Sequence, residues 1–241
     1  MTNKTLERTQ TIEELEDAPK KCVILLSGGL DSTVLMYSLI GQYEVYPLTI
    51  SYGQRHNKEV LAARDVCDAR GHWLLKRWRY LDLSGLRSIL LSALTGVGNI
   101  PKGNYSKATM SQTVVPNRNM IFLAIAAGYA ESIGADYVAY AAHTEDHYLY
   151  PDCRPEFAYA VNDALILGTG RKVSMKVPFI HKTKADIVAL GKKLVVPFRL
   201  CWSCYEGGNV HCGQCSTCVE RRRAFIKAGV SDPTIYEEVI K

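Results

Sequence analysis

Two groups of residues have the types and spacing for chemistry. The first is the run Leu25 to Leu35, "LLSGGLDSTVL", where an apolar stretch gives way to two glycines, an acid and three hydroxyl residues. Gly28 and Gly29 carry no Cβ, so main-chain N–H groups there can approach an anion closely. A helix opening just behind them, capped by Asp31 or Ser32, would turn its positive end to the same point. A phosphate group is the matching ligand. The run has neither the Gly-Lys-Ser/Thr of a Walker loop nor the G-x-G-x-x-G of a dinucleotide fingerprint, so neither of those sites is expected. The second group is "CWSCYEGGNVHCGQCSTC", residues 201–218, in which Cys204, Cys212, Cys215 and Cys218 form two overlapping Cys-x-x-Cys steps closed by a more distant thiol. Four thiolates suit tetrahedral Zn²⁺. Such a site contributes on the order of 10 kcal/mol to local folding, enough to organise a loop-rich C-terminal region. Spacing alone leaves Cys201 open as a partner of Cys204.

The elements that must position these groups alternate. Short apolar runs at 22–27, 44–52, 136–143 and 172–180 read as strands, with a further strand in 72–83. Helical periodicity covers 32–39, 58–71, 120–135, 156–167 and 184–194. This order predicts an α/β protein with a Rossmann-like parallel sheet and helices on both faces, in which ligands bind beyond the carboxyl ends of the strands. The chain of 241 residues with 47% apolar content suits one main core. The expected division is a polar extension over 1–20, an α/β domain over 21–195 and a small zinc-binding region over 196–241. The first twenty residues have no apolar segment of a leader, and no later run approaches a membrane span, so a cytoplasmic protein is expected. Five of the eight cysteines crowd into 201–218, which favours metal ligation over disulfides. A net charge of +5 fits acidic small substrates as well as nucleic acid. "KRWRY" (76–80) and "ERRR" (220–223) read as solvated faces rather than nucleic-acid contacts.

Ser-Gly-Gly-x-Asp-Ser after a first strand resembles the pyrophosphate-binding loop of the N-type ATP pyrophosphatases, which implies an adenine nucleotide alpha-hydrolase-like fold and ATP as ligand of Leu26, Ser27, Gly28, Gly29, Leu30, Asp31 and Ser32. With "YGQRHNKE" (52–59), "VVPNRNMIFL" (114–123), "HTEDHYLYPDCRPEF" (143–157), "VPFIHKTKADIV" (177–188) and the cysteine region, nearly all of the chain after residue 20 resembles the 7-cyano-7-deazaguanine synthase family. The resemblance implies a ligase that turns 7-carboxy-7-deazaguanine and ammonia into the nitrile at the expense of ATP, through an adenylated carboxylate, an amide and its dehydration. It further implies Mg²⁺ at the phosphates, with Asp31 helping to place it, free ammonium as nitrogen source, no direct nucleic-acid partner and a homodimer. Arg55 and Lys182 are candidates for stabilising phosphate charge. His143, His147 and Asp146 are candidates for handling the proton of ammonia; the spacing of the histidines does not fit a His-Glu-x-x-His zinc site. For the planar base, Asp152, Glu156 and Phe157 offer carboxylates and a ring, and Arg154 a bidentate partner for the substrate's carboxylate. Gln54, Arg118 and Asn119 are further binding candidates, although Asn119 suits a helix cap equally and Asp152 and Arg154 suit a mutual pair. Two departures stand out. The family commonly has Thr at the position of Cys201, which argues against Cys201 as a metal ligand, and Gly or Ala at that of Asn117, which leaves the loop geometry after Pro116 open. A tRNA thiolase built on the same ATP loop would need reactive cysteines, and a zinc-ribbon nucleic-acid module would bind RNA or DNA without turning over ATP.

Overall fold

A computed structural model describes residues 19–103, 111–148 and 150–237, so the polar extension expected over 1–20 lies outside the described residues up to position 18. The central strand β1 (Lys21–Leu25) is paired on one side with β2 (Glu44–Ser51) and on the other with β4 (Tyr137–Ala139). Strands β3 (Arg79–Asp82) and β5 (Ser174–Lys176) form the two edges, and the order β3-β2-β1-β4-β5 is parallel throughout. Parallel pairing requires crossovers, and helices supply them.

The two-residue period of β1 builds two cores. Cys22 and Ile24 face a cluster completed by α1 (Leu30–Leu39), α2 (Lys58–Arg70), α7 (Lys184–Lys193) and α8 (Ser216–Ala228). Val23 points the other way, toward α4 (Arg118–Ser132) and α6 (Pro155–Gly168). On α4 the buried residues are Leu123, Ala126, Ala127 and Ala130, the helical spacing of one apolar stripe. Small residues on that stripe let the helix lie close to the sheet. Phe198, Cys201, Ala224 and Phe225 belong to the same cluster as Cys22 and Ile24, so the segment after 196 shares its packing with the α/β domain.

One expected element differs. The segment 72–83 is not a single strand: His72–Arg77 is helix α3, and only Arg79–Asp82 joins the sheet. Gly71, with φ +138, ends α2 and starts α3 directly, and Arg77 lies over the Trp73 ring one turn earlier at 5.5 Å. Arg77 also pairs with Glu44, whereas Arg79 and Tyr80 stand exposed on the edge strand. The remaining short helix, α5 (Thr144–His147), follows β4.

The chain runs from β1 outward to β2 and β3, then returns to β4 on the opposite side of β1. The loops leaving β1 and β4 therefore diverge, and a cleft opens between them at the carboxyl ends of the strands.

Candidate active site

The first wall of the cleft is the loop after β1. Helix α1 begins at Leu30 with Gly29 as its N-cap, and no side chain caps its first turn. Asp31 and Ser32, expected to cap the helix, both lie inside its first turn, and the Ser32 hydroxyl instead meets Ser27 Oγ at 3.0 Å and accepts from Ser27 N at 3.2 Å. A glycine N-cap without a side-chain acceptor leaves the first N–H groups of α1 open to an external anion. Gly28 has φ +86, and a Cβ there would lie 2.2 Å from the Glu59 carbonyl oxygen and 2.5 Å from Ala63 N. Its lack of a side chain therefore serves the approach of α2 as well as of a ligand.

The second wall is the loop after β4 together with the start of α7. His143 is buried (1% exposed) with Nε2 3.3 Å from Asp146 Oδ2 and 3.7 Å from Asp31 Oδ2, and Nδ1 3.3 Å from Glu145 Oε2. Burial alone would depress its pKa, but Asp146 and Asp31 push it up to about 10. The imidazole is thus a cation at neutral pH. Burial opposes ionisation of Asp31, yet Lys184 and His143 hold its carboxyl well below the usual range. Burial dominates at Asp146 and raises it to about 6 against the pull of His143 and Lys184. Glu145 accepts from Lys184 N at 2.9 Å, and Lys184 Nζ reaches Asp31 Oδ2 at 3.3 Å and Glu220 Oε2 at 2.6 Å.

Lys184, not the expected Lys182, is the lysine of this cleft. Thr183 and Asp186 form a reciprocal capping box that fixes the start of α7, with Thr183 Oγ1 accepting from Asp186 N at 3.2 Å and Asp186 Oδ2 accepting from Thr183 N at 2.9 Å. The residue just inside the cap projects into the cleft, while Lys182 precedes the cap, is exposed, and engages through its backbone, its N–H donating to Phe179 O and its carbonyl accepting from Thr144 N and Oγ1.

The third wall runs from β2 to α4. Arg118 lies in the cleft, 5.3 Å from the centre of the Tyr52 ring and 6.0 Å from that of Phe122, and donates to Tyr52 Oη at 3.3 Å. It has no ion pair among the described residues. Asn117 adopts a left-handed conformation (φ 52), which asparagine tolerates better than most L-residues, so this residue suits the turn into α4. Asn119 is neither cap nor free: its N–H donates to Asp152 Oδ2 at 3.0 Å and its amide to Asp152 O at 3.2 Å. Asp152 therefore holds the start of α4 and does not pair with Arg154. Gln54 Oε1 accepts from Tyr52 N at 2.9 Å, and Arg55 reaches the carbonyls of Ala93 and Gly98 at the rim. Arg154, Glu156 and Phe157 lie outside the cleft: Arg154 is exposed and donates to His147 O at 2.8 Å, Glu156 is exposed, and Phe157 packs on the core beneath. The reason is local. Pro155 begins α6 directly after Arg154, and that helix buries Ala158, Val161 and Leu165 in the core.

The fourth wall comes from the cysteine region. The sulfurs of Cys204, Cys212, Cys215 and Cys218 lie within 4.8 Å of one another, near the roughly 3.8 Å edge of a tetrahedron with Zn–S bonds of about 2.3 Å. Main-chain N–H groups of Cys212 and Cys215 point at Cys204 Sγ (3.4 Å) and Cys212 Sγ (3.3 Å), an arrangement that favours thiolates. The residues present fit a metal ion. Cys201 is buried in the main core, outside this group. Trp202 N donates to Gly28 O at 3.0 Å, tying the cysteine region to the loop after β1, and Trp202, Ser203 and Tyr205 line the cleft. "ERRR" is a solvated face only in part: Arg223 is exposed and Arg222 half-buried, but Glu220 pairs with Lys184, and Arg221, 1% exposed, binds Asp232, Ser203 Oγ and Phe198 O.

One residue of the cleft escapes the sequence reading. Glu59, in the first turn of α2, lines it opposite Arg118, and burial pushes its carboxyl up to about 7 although Arg118 holds it down. Its place in "YGQRHNKE", directly after a strand end, is the signal that could have drawn notice.

Comparison with known proteins agrees with this geometry. The family described as "Queuosine biosynthesis protein QueC" matches residues 21–229. A protein of Archaeoglobus fulgidus named 7-cyano-7-deazaguanine synthase is 49% identical over 90% of this chain and 91% of its own length. Proteins of the same name from Caldicellulosiruptor bescii and Paracoccus denitrificans are 45% and 44% identical over 90% of this chain and 97% and 94% of theirs.

Proposed function

The chain belongs to the QueC family, and from that premise we propose that it is an ATP-dependent ligase converting 7-carboxy-7-deazaguanine and ammonia to 7-cyano-7-deazaguanine. The observation that carries the reading is the joining of two anion sites in one cleft: the open helix start behind Ser27, Gly28 and Gly29, and the half-buried guanidinium of Arg118, which has no ion pair among the described residues. The first suits the triphosphate and the second the carboxylate of the acid.

A carboxylate resists attack because oxide is a poor leaving group. Adenylation of that oxygen gives ammonia a departing AMP to displace, and a second activation, of the amide oxygen, lets the nitrile form. Lys184 stands beside Asp31 at the end of the phosphate loop, where a fixed cation stabilises charge developing on the transferred phosphoryl group. Asp31 Oδ1 is buried and has no hydrogen-bond partner among the described residues, so it fits a Mg²⁺ ion carried by the nucleotide, which would screen the phosphate charge. Asp146, raised to about 6, is suited to take the proton of ammonium, and the His143 imidazolium holds its carboxylate in place. Zn²⁺ on the four cysteines would hold the Trp202 wall and take no part in the chemistry.

The thiolase alternative finds no support in the cleft. Its one cysteine outside the cluster, Cys153, is buried and its thiol is pushed up strongly, first by burial and then by Asp146 and Asp152, the opposite of a nucleophile. The decisive experiment supplies MgATP, ammonium and 7-carboxy-7-deazaguanine and follows nitrile by mass spectrometry. Wild type is expected to form nitrile and Asp31→Ala to form little or none. Absence of nitrile with wild type, or an equal yield from the variant, refutes the proposal.

A further inference from the structure

We propose, resting on the reading above, that Glu59 is the catalytic base of the second stage, taking the last proton from nitrogen as the activated amide becomes nitrile. The placement of Glu59 carries this. Its backbone packs directly on Gly28, where an added Cβ would meet its carbonyl oxygen at 2.2 Å, so the residue is fixed against the phosphate loop. Its side chain enters the cleft toward Arg118 of α4 and Tyr52 at the end of β2, the site of the acid's carboxyl group. Glu59 therefore stands between the loop after β1 and Arg118, the places proposed above for the nucleotide and the acid's carboxyl group.

Its carboxyl makes no hydrogen bond or ion pair among the described residues, unlike every other acid of the cleft. Asp31, Asp146 and Glu220 are engaged with His143 or Lys184, and Asp152 accepts from Asn119. The groups facing Glu59 are the Arg118 guanidinium and the Tyr52 phenol, and neither is a base at neutral pH. Tyr52 is pushed up, first by burial, and stays protonated. Glu59, brought to about 7, is divided between its acid and base forms near neutrality, as an efficient proton acceptor should be.

In the O-adenylated amide, R–C(=NH)–O–AMP, the remaining N–H proton passes to the Glu59 carboxylate and the N–H electron pair becomes the third C–N bond. The C–O bond breaks with its pair leaving on AMP. The products are R–C≡N, AMP and protonated Glu59, which returns its proton to solvent. Formation of the amide in the first stage has its own acceptor in Asp146, so the two stages separate.

The test compares wild type, Glu59→Gln and Glu59→Asp, with either the acid and ammonium or the purified 7-amido-7-deazaguanine, in the presence of MgATP. Circular dichroism and nucleotide titration verify folding. Wild-type nitrile formation from the amide is expected to rise with pH through about 7. Glu59→Gln should lower that rate by roughly 10²–10⁴-fold, abolish the pH dependence, and accumulate amide when fed the acid. Glu59→Asp should restore part of the rate and the pH dependence. Wild-type nitrile formation by folded Glu59→Gln overturns the proposal, as does an equal loss of amide and nitrile formation. Failure of wild type to make nitrile from either compound refutes the proposed function itself, and this inference with it.

Discussion

Replacing Gly28 by alanine tests whether the loop after β1, the proposed phosphate site, is shaped by the helix behind it. The added methyl would lie 2.2 Å from Glu59 O and 2.5 Å from Ala63 N, both backbone atoms of α2, so no flexible side chain can yield. The residue also sits at φ +86, which costs a β-carbon residue about 1–2 kcal/mol. Overpacking adds about 1–3 kcal/mol, for a total of about 2–5 kcal/mol. At roughly 2–4 °C per kcal/mol in a chain of this size, the melting temperature should fall by about 4–20 °C. Gly41→Ala is the matched control: it has φ +94 but nothing within 4 Å of the new Cβ, so it should show the conformational part alone. Calorimetry supplies both melting temperatures, and nucleotide titration by isothermal calorimetry should find weaker binding only in Gly28→Ala, whose loop must move. Equal losses of stability in the two variants, with nucleotide affinity intact, would refute the claim that α2 sets the loop.

Other consequences follow from the same geometry. Lys184→Ala should lower the rate of acid activation by roughly 10²–10³-fold, the scale of losing one preorganised charge partner, while Lys182→Ala stays within about twofold of wild type in the same assay. Cys218→Ser should reduce bound metal measured by atomic emission, shift Trp202 fluorescence and weaken nucleotide binding, because Trp202 N bonds to Gly28 O at 3.0 Å. His143 carries a pKa raised from 6.5 to about 10 by Asp146 and Asp31 against its burial, so its charge stabilises the fold fully below pH 6.5 and that contribution disappears as pH rises through 10. Urea denaturation of wild type and His143→Gln should therefore give a stability difference that shrinks over this interval, and a constant or growing difference would contradict the assignment.

What sequence reading reaches and what it misses divides along a physical line. The Ser27–Ser32 loop and the four cysteines are legible because each acts through neighbours in the chain: glycine and hydroxyl residues at a strand end, thiols at turn spacing. The strand and helix alternation is legible for the same reason. Lys182 and Lys184 differ by two positions, and only the Thr183–Asp186 capping box decides which one faces inward. Arg154 stands just before α6 and Arg118 opens α4, and the two have the same chemistry, yet only Arg118 lines the cleft. Arg221 looks like one of three solvated cations until the long-range partners Asp232, Ser203 and Phe198 are in place. The helix at 72–77 is too short for its period to outweigh the aromatic and apolar residues that suggest a strand.

The charges around His143 are best understood as a site held ready in part. Burying carboxylates next to one another is unfavourable, and the His143 and Lys184 cations offset that for Asp31 Oδ2, Asp146 and Glu145. The offset stops short of Asp31 Oδ1, buried and without a hydrogen-bond partner among the described residues. An unsatisfied buried acceptor of this kind costs about 1–3 kcal/mol, and on the proposed function a cation brought by the nucleotide would relieve that cost. Full pairing of Asp31 would make the free protein more stable and the bound state less favoured relative to it. The same reasoning applies across the cleft, where Arg118 and Glu59 face each other without an ion pair between them. Each keeps its capacity for a substrate, a guanidinium for an anion and a carboxyl for a proton, because the intervening distance prevents them from satisfying one another.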